Sequence, residues 1–221
     1  MITDLIRNGF STDLLINLLT RLFVIFCVLP IHEYAHALIA TKLGDQTARL
    51  SGRLTLNPIA HIDPLGALMI LIIGFGYAKP VPINIRNFKN RKMGMALTAI
   101  AGPISNLIMA FLGIVFMNIA ARQYILNAST ILNVTAIFLQ DFAIINIYLA
   151  VFNLLPIPPL DGSRLASAVL PDKYYYKLMQ YERYIMIGLF ILIFTGILRG
   201  PLEFLANSVY NGMNWVVRLV I

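Results

Sequence analysis

Residues 22–43 form an apolar run of the length that crosses a bilayer as a helix, interrupted by little more than Pro30, His32, Glu33, His36 and Lys42. In hydrocarbon a backbone must satisfy its own hydrogen bonds, so such a run folds as a helix or joins a closed barrel. Comparable runs occupy about residues 93–118, 142–155 and 184–198. Hydrophobic residues make up 59% of the 221-residue chain and charged residues 12%, where soluble domains carry about 25% charged residues. So little polar side chain cannot cover a water-facing surface. A soluble enzyme, a disordered tail and a fibrous repeat are thereby excluded. The expected fold class is an all-α polytopic membrane protein with about four transmembrane helices, a short re-entrant segment and a membrane-associated β-hairpin. It is read as a single domain over residues 1–221, with a core at 20–170 and a C-terminal span and interfacial helix at 184–221.

Charge orients these elements. Residues 65–78 are apolar but would reach only about 21 Å as a helix, short of a crossing. If they do not cross, twelve of the 17 basic residues fall on one side: Lys42, Arg49, Arg53, Lys79, Arg86, Lys89, Arg91, Lys92, Arg164, Lys173, Lys177 and Arg183. Arg7, Arg21, Arg122, Arg199 and Arg218 remain for the other. That asymmetry is the positive-inside pattern, so residues 65–78 are read as re-entrant or interfacial and the basic side as cytosolic. The formal net charge of +7 is thus a matter of topology and does not call for nucleic acid. The expected location is the cell membrane, with several passes.

Shorter features follow. No removable signal peptide is expected, and residues 13–20 read as a short interfacial helix. Residues 49–58 alternate polar and apolar with Gly52 and Pro58 as punctuation, which reads as a hairpin or extended segment at the membrane surface. The lone Cys27 forms no internal disulfide and reads as a small buried hydrophobe. Tyrosines 174, 175, 176, 181 and 184 read as an interfacial aromatic belt.

The chemistry lies inside the first run. His32-Glu33-Tyr34-Ala35-His36 is an H-E-x-x-H motif. On a helix, positions i and i+4 share a face, so both imidazoles can reach one metal, and Glu33 sits where a general base would act on water. Ionisable groups inside a span are costly and are usually functional. Catalytic zinc takes three protein ligands. Asp161 is the best third candidate, because Pro156, Pro158 and Pro159 must break the helix before it and turn it toward an internal cavity. A plain helix-capping role for Asp161 stays open, and Asp141, His61 and Asp63 are weaker candidates.

Three stretches together, His32–His36, Gly102-Pro103-Ile104-Ser105-Asn106 and 153–162, resemble the site-2 protease family of intramembrane zinc metalloproteases, peptidase family M50. Residues 56–66 and Ala78-Lys79-Pro80-Val81-Pro82 resemble its compact prokaryotic members, which carry no peptide-binding (PDZ) or nucleotide-binding (CBS) domain. The resemblance covers about residues 20–170. It implies one Zn2+ per chain on His32, His36 and Asp161, with Glu33 as general base, and cleavage of membrane protein substrates within or near their transmembrane segments. It further implies an unwound substrate strand paired with a β element within residues 49–57. Asn106 and Asn153 match family asparagines near the site. Each is read as a group for substrate or a developing oxyanion, or else as polar glue between helices. His61 is either a structural hydrogen-bonder or a gate over the site. The partners implied are a substrate's transmembrane helix and the lipid bilayer, with self-association left open. A non-proteolytic zinc-binding or transport protein is the alternative, but it gives Glu33 no role.

Overall fold

The computed structural model describes residues 12–72, 76–166, 168 and 170–220. Among them every regular element is helical.

The first span is one continuous rod, Leu14–Lys42. It comprises α1 (Thr12–Phe23), a π-helical turn (Val24–Val28) and α2 (Leu29–Lys42). The amide of Leu29 reaches back five residues to the carbonyl of Val24. Pro30 follows directly. It has no N–H and its ring crowds the carbonyl four residues back, and the widened turn takes up both faults without ending the helix. The separate interfacial helix expected at 13–20 is therefore corrected: those residues begin the span. No breaker lies between them and the π turn, and Thr20 folds its hydroxyl onto the carbonyl of Ile16 (2.9 Å).

Three short helices follow: α3 (Thr47–Leu50), α4 (Pro58–His61) and α5 (Pro64–Ile72). The β-hairpin expected around residues 49–58 is absent, because local capping overrides the alternating pattern. Asp45 accepts the amide of Thr47 and so starts α3. Gly52 ends it at φ +68°, and the amide of Arg53 returns to the carbonyl of Ala48 (2.8 Å), which is a Schellman closure. With its middle residues in a helix and a left-handed turn, the segment has no strand to offer.

The carboxylate of Asp63 accepts the amides of Leu65 and Gly66 (3.0 and 2.9 Å) and caps α5. At the other end, the Arg21 guanidinium donates to the carbonyls of Ile70 and Leu71 (3.0 and 3.1 Å). A cation on the last carbonyls of a helix satisfies both their lone pairs and the dipole. The nine residues of α5 extend ~14 Å, well short of a bilayer. A Cβ on Gly76 would collide with the carbonyl of Gly66, and one on Gly66 with the backbone of Tyr77. The two ends of the segment thus lie side by side.

Two long spans complete the bundle, α6 (Arg91–Asn127) and α7 (Thr130–Asn153). Both exceed the runs expected at 93–118 and 142–155. Nothing in 119–127 breaks a helix, and two residues separate the spans: Ala128, in left-handed conformation at φ 49°, and Ser129, extended at the N-cap of α7. After them come α8 (Asp161–Ala166), α9 (Asp172–Gln180), α10 (Glu182–Phe194) and α11 (Arg199–Arg218). The last two form a pair bent by 82°. Among the described residues three segments are long and apolar enough to cross a membrane, and the bent pair as one span would make four. α11 packs on α6 and α7: Ala206 and Val217 are buried with Ala110, Ile114, Ala143, Ile147 and Val151. The amide of Asn118 donates to Asn214 (3.0 Å) within this contact. Large apolar side chains remain exposed along the spans, including Ile108, Phe116, Ile131, Ile187 and Phe194, as lipid contact requires.

Candidate metal centre

His32 and His36 project from one face of α2 toward α6, one helical turn apart and both buried. The chain that leaves α7 makes a tight turn through Leu154 and Leu155 and brings back Asp161 as the first residue of α8. That turn requires Gly162, where a Cβ would strike the carbonyls of Leu154 and Leu155. The carboxylate oxygen Oδ2 of Asp161 stands 3.3 Å from Nε2 of His32 and 3.2 Å from Nε2 of His36, and the two Nε2 atoms are 3.0 Å apart. Tetrahedral zinc with bonds of 2.0–2.1 Å sets its ligand atoms about 3.3 Å apart, so these spacings fit. The three residues are the His/Cys/Asp/Glu group that could hold a metal ion among the described residues.

The hydrogen bonds behind the rings also fit a metal. Nδ1 of His36 lies 2.7 Å from the carbonyl of Thr98, which can only accept, so that nitrogen carries the proton. Nδ1 of His32 lies 3.2 Å from Oδ1 of Asn106 and donates likewise. Both Nε2 atoms then present lone pairs. Together with the carboxylate oxygen they converge on one point, an arrangement that repels itself unless a cation sits among the three. This pairing of a donated ring N–H with a ligating nitrogen is the usual outer support of metal-binding histidines. Gly102 completes the seat. A Cβ there would lie 2.6 Å from Cε1 and Nε2 of His32 and collide with Nε2 of His36, so α6 can approach the rings only as bare backbone.

Glu33 is buried one position further round α2. Its Oε2 accepts the amide of Val81 (3.0 Å), and among the described residues no hydrogen bond engages Oε1. Asn106 is fully buried, and its Nδ2 has no partner, so a donor beside His32 stands free. Asn153 is the last residue of α7, half-buried, and makes no hydrogen bond to His32, His36 or Asp161. His61 lies apart from the triad. Its Nε2 donates to the carbonyl of Thr55 (2.8 Å), and its own carbonyl accepts the amide of Lys79 (2.8 Å). Nδ1 of His61 is buried without a partner. Thr98 and Val81 escaped the sequence reading because they act through backbone atoms, which leave no mark in residue type. Gly102 was within reach: a glycine one turn before Asn106 on the same helix face is the signal of a close approach.

The model of peptidase family M50 matches residues 20–195 of the chain. YwhC of Bacillus subtilis, provisionally named a zinc metalloprotease, is 45% identical over 170 residues, which are 74% of this chain and 75% of YwhC. Rip2 of Mycobacterium tuberculosis carries the same provisional name and is 28% identical over 78% of this chain and 65% of its own. A third protein so named, MJ0611 of Methanocaldococcus jannaschii, is 29% identical over 61% of this chain and 62% of its own. The chain thus spans three quarters of the first relative and less than two thirds of the other two. No solved structure gives a significant match.

Proposed function

The chain belongs to peptidase family M50, the zinc metalloproteases of site-2 protease type, and from that premise we propose that it hydrolyses peptide bonds within or near the transmembrane segments of other membrane proteins. The observation that carries this reading is the convergence of His32, His36 and Asp161 on one point inside a membrane-spanning bundle, with Glu33 beside them. The same placement favours proteolysis over zinc storage or transport, since neither alternative uses a carboxylate that is next to the ligands but not one of them.

His32, His36 and Asp161 would hold the zinc, which would supply a Lewis acid for the scissile carbonyl and make a water nucleophilic near neutral pH. Glu33 accepts a proton from the attacking water at Oε1 and later delivers it to the leaving amine nitrogen. His32 and His36 stay fixed through this exchange, because Asn106 and the Thr98 carbonyl hold their ring N–H groups. The free Nδ2 of Asn106 offers a hydrogen bond to a substrate carbonyl, or to the oxygen on which charge develops. Asn153 sits where the helix gives way to the Asp161 turn and is assigned a substrate contact. His61 is assigned a structural role in the loop. The polypeptide acts as one intramembrane domain with its lipid-facing spans in the cell membrane, and the excess of basic residues between α2 and α6 supports a catalytic centre toward the cytosolic side. A substrate helix must unwind locally before its carbonyls, hydrogen-bonded in the helix, become accessible.

The test uses a panel of single-span segments, each with a different fluorescent protein at either end, co-reconstituted with the purified protein in vesicles. Wild type should cut at least one of them between residues of the span, and Glu33→Gln should cut none. Cleavage that persists in Glu33→Gln, or that falls only in water-soluble flanks, would contradict the reading.

A further inference from the structure

A strap of extended chain crosses beside the general base, and its prolines leave almost no amide free. Between Lys79 and Ile83 the sequence is Pro80-Val81-Pro82, so Val81 supplies the one N–H of that stretch. It is spent on Oε2 of Glu33, at 3.0 Å in a buried setting. The neighbouring groups pin the strap. The amide of Lys79 donates to the carbonyl of His61 (2.8 Å). The buried Arg53 guanidinium donates to the carbonyls of Lys79 and Pro80. The amide of Asn84 donates to Oδ2 of Asp45 (2.7 Å). Pro82 keeps Val81 extended. The Val81 side chain is buried with Ala37 of α2 and Ala48 of α3, with Leu54 and Ile83 packed around them.

We propose that the backbone N–H of Val81 is a positioning group for catalysis: it ties down one carboxylate oxygen of Glu33 and leaves the other as the proton acceptor. The proposal rests on the reading of Glu33 as general base. A strap held by four sets of contacts besides Glu33 is a wall of the site, not a plug that substrate displaces. A carboxylate on a flexible side chain loses rotamer freedom here to a donor whose place the fold fixes, and such pre-organisation matters because a displacement of about 1 Å at a reacting group can cost ~100-fold in rate. The loop between α2 and α6 thus serves the chemistry through one amide, and Arg53, whose charge is spent on the strap's carbonyls, supports that amide at one remove.

Two variants separate the amide from the side chain. Val81→Pro deletes the N–H at a position already flanked by Pro80 and Pro82, and Val81→Ala keeps it. On the tagged-segment panel, in vesicles, Val81→Pro should lower kcat by about 10- to 100-fold with KM and bound zinc unchanged, and Val81→Ala should stay within about 3-fold of wild type. Unchanged kcat in Val81→Pro, or equal losses in both variants, would overturn the proposal. A second readout needs neither substrate nor a foldable proline variant. Deuterium uptake in the zinc-loaded protein is followed on peptides across residues 78–84, in wild type and in Glu33→Ala. Exchange at Val81 should quicken about 10-fold when its acceptor is removed, as for a charge-assisted hydrogen bond. Unaltered exchange would overturn the proposal even if Val81→Pro fails to fold or no segment in the panel is cut, and the latter result would count separately against the proteolytic reading.

Discussion

Gly102 of α6 presents bare backbone to the ring of His36, and no side chain larger than hydrogen fits between them. The two residues come from different spans, so this contact sets how closely α2 and α6 approach. Gly102→Ala should therefore act on the metal site before it acts on the fold. The expected outcome is zinc affinity weaker by about 10- to 100-fold, the range seen for outer supports of metal ligands. Competition against a calibrated chelator would measure it. Affinity equal to wild type would mean that the rings can withdraw without cost.

Asn106 gives a second prediction at the same site. Its Oδ1 holds Nδ1 of His32. Asn106→Ala frees the ring to rotate or to change tautomer, and should also weaken zinc binding by about 10-fold or more. Asn106→Asp keeps an acceptor for the ring N–H but loses the Nδ2 donor. It should keep zinc and lose turnover, which separates support of the ligand from contact with substrate. Zinc analysis and the tagged-segment assay on both variants distinguish these roles.

The grouping of His32, His36 and Asp161 was legible in the sequence for a simple reason: an i, i+4 pair has only one geometry on a helix, and Asp161 follows a run of prolines that no helix can contain. The glycine-to-asparagine stretch at 102–106 was equally visible, but the function of Gly102 depends on the distance between two helices, which no single-chain pattern encodes. The Val81 amide and the Thr98 carbonyl were invisible because any residue type carries them. The strand expected around residues 49–58 failed for a different reason. Its alternation is real, but Asp45 and Gly52 supply a start and a stop for a helical turn, and local capping outweighs a short period-two pattern. Residues 13–20 carry Asp13, Asn17 and Thr20 among apolar residues, but nothing after them breaks the backbone, so they continue into the span.

Asp45 gives a prediction in pH. Burial alone would raise its carboxyl, but hydrogen bonds from the Thr47 hydroxyl, the Asn84 amide, the Asn87 side chain and the Thr47 amide outweigh burial and hold it below the usual carboxylate range. A carboxyl depressed in the folded state binds its proton less readily than when unfolded. Its stabilisation is thus fully present above the unfolded value of about 3.9 and is lost as pH falls through the folded one. The difference in Tm between wild type and Asp45→Asn, measured in detergent, should stay constant from pH 7 to 5. It should narrow below about pH 4. A gap that narrowed between pH 7 and 5 would point to another group.

Arg21 ties the first span to the carbonyl end of α5. Arg21→Met keeps most of the side chain and removes the donors, so α5 should loosen while the metal site stays intact. Faster deuterium uptake across residues 64–72 with unchanged zinc content is the expected result. Loss of zinc in this variant would show that α5 supports the site itself.

The central claim is that His32, His36 and Asp161 form one zinc site served by Glu33. The most direct measurement is bound metal per chain in protein purified in mild detergent without chelator, for wild type, Glu33→Gln and Asp161→Ala. Three donor atoms 3.0–3.3 Å apart predict close to one zinc per chain in wild type and in Glu33→Gln, with marked loss in Asp161→Ala. A folded wild type without zinc, or an Asp161→Ala variant that keeps it, would contradict the account.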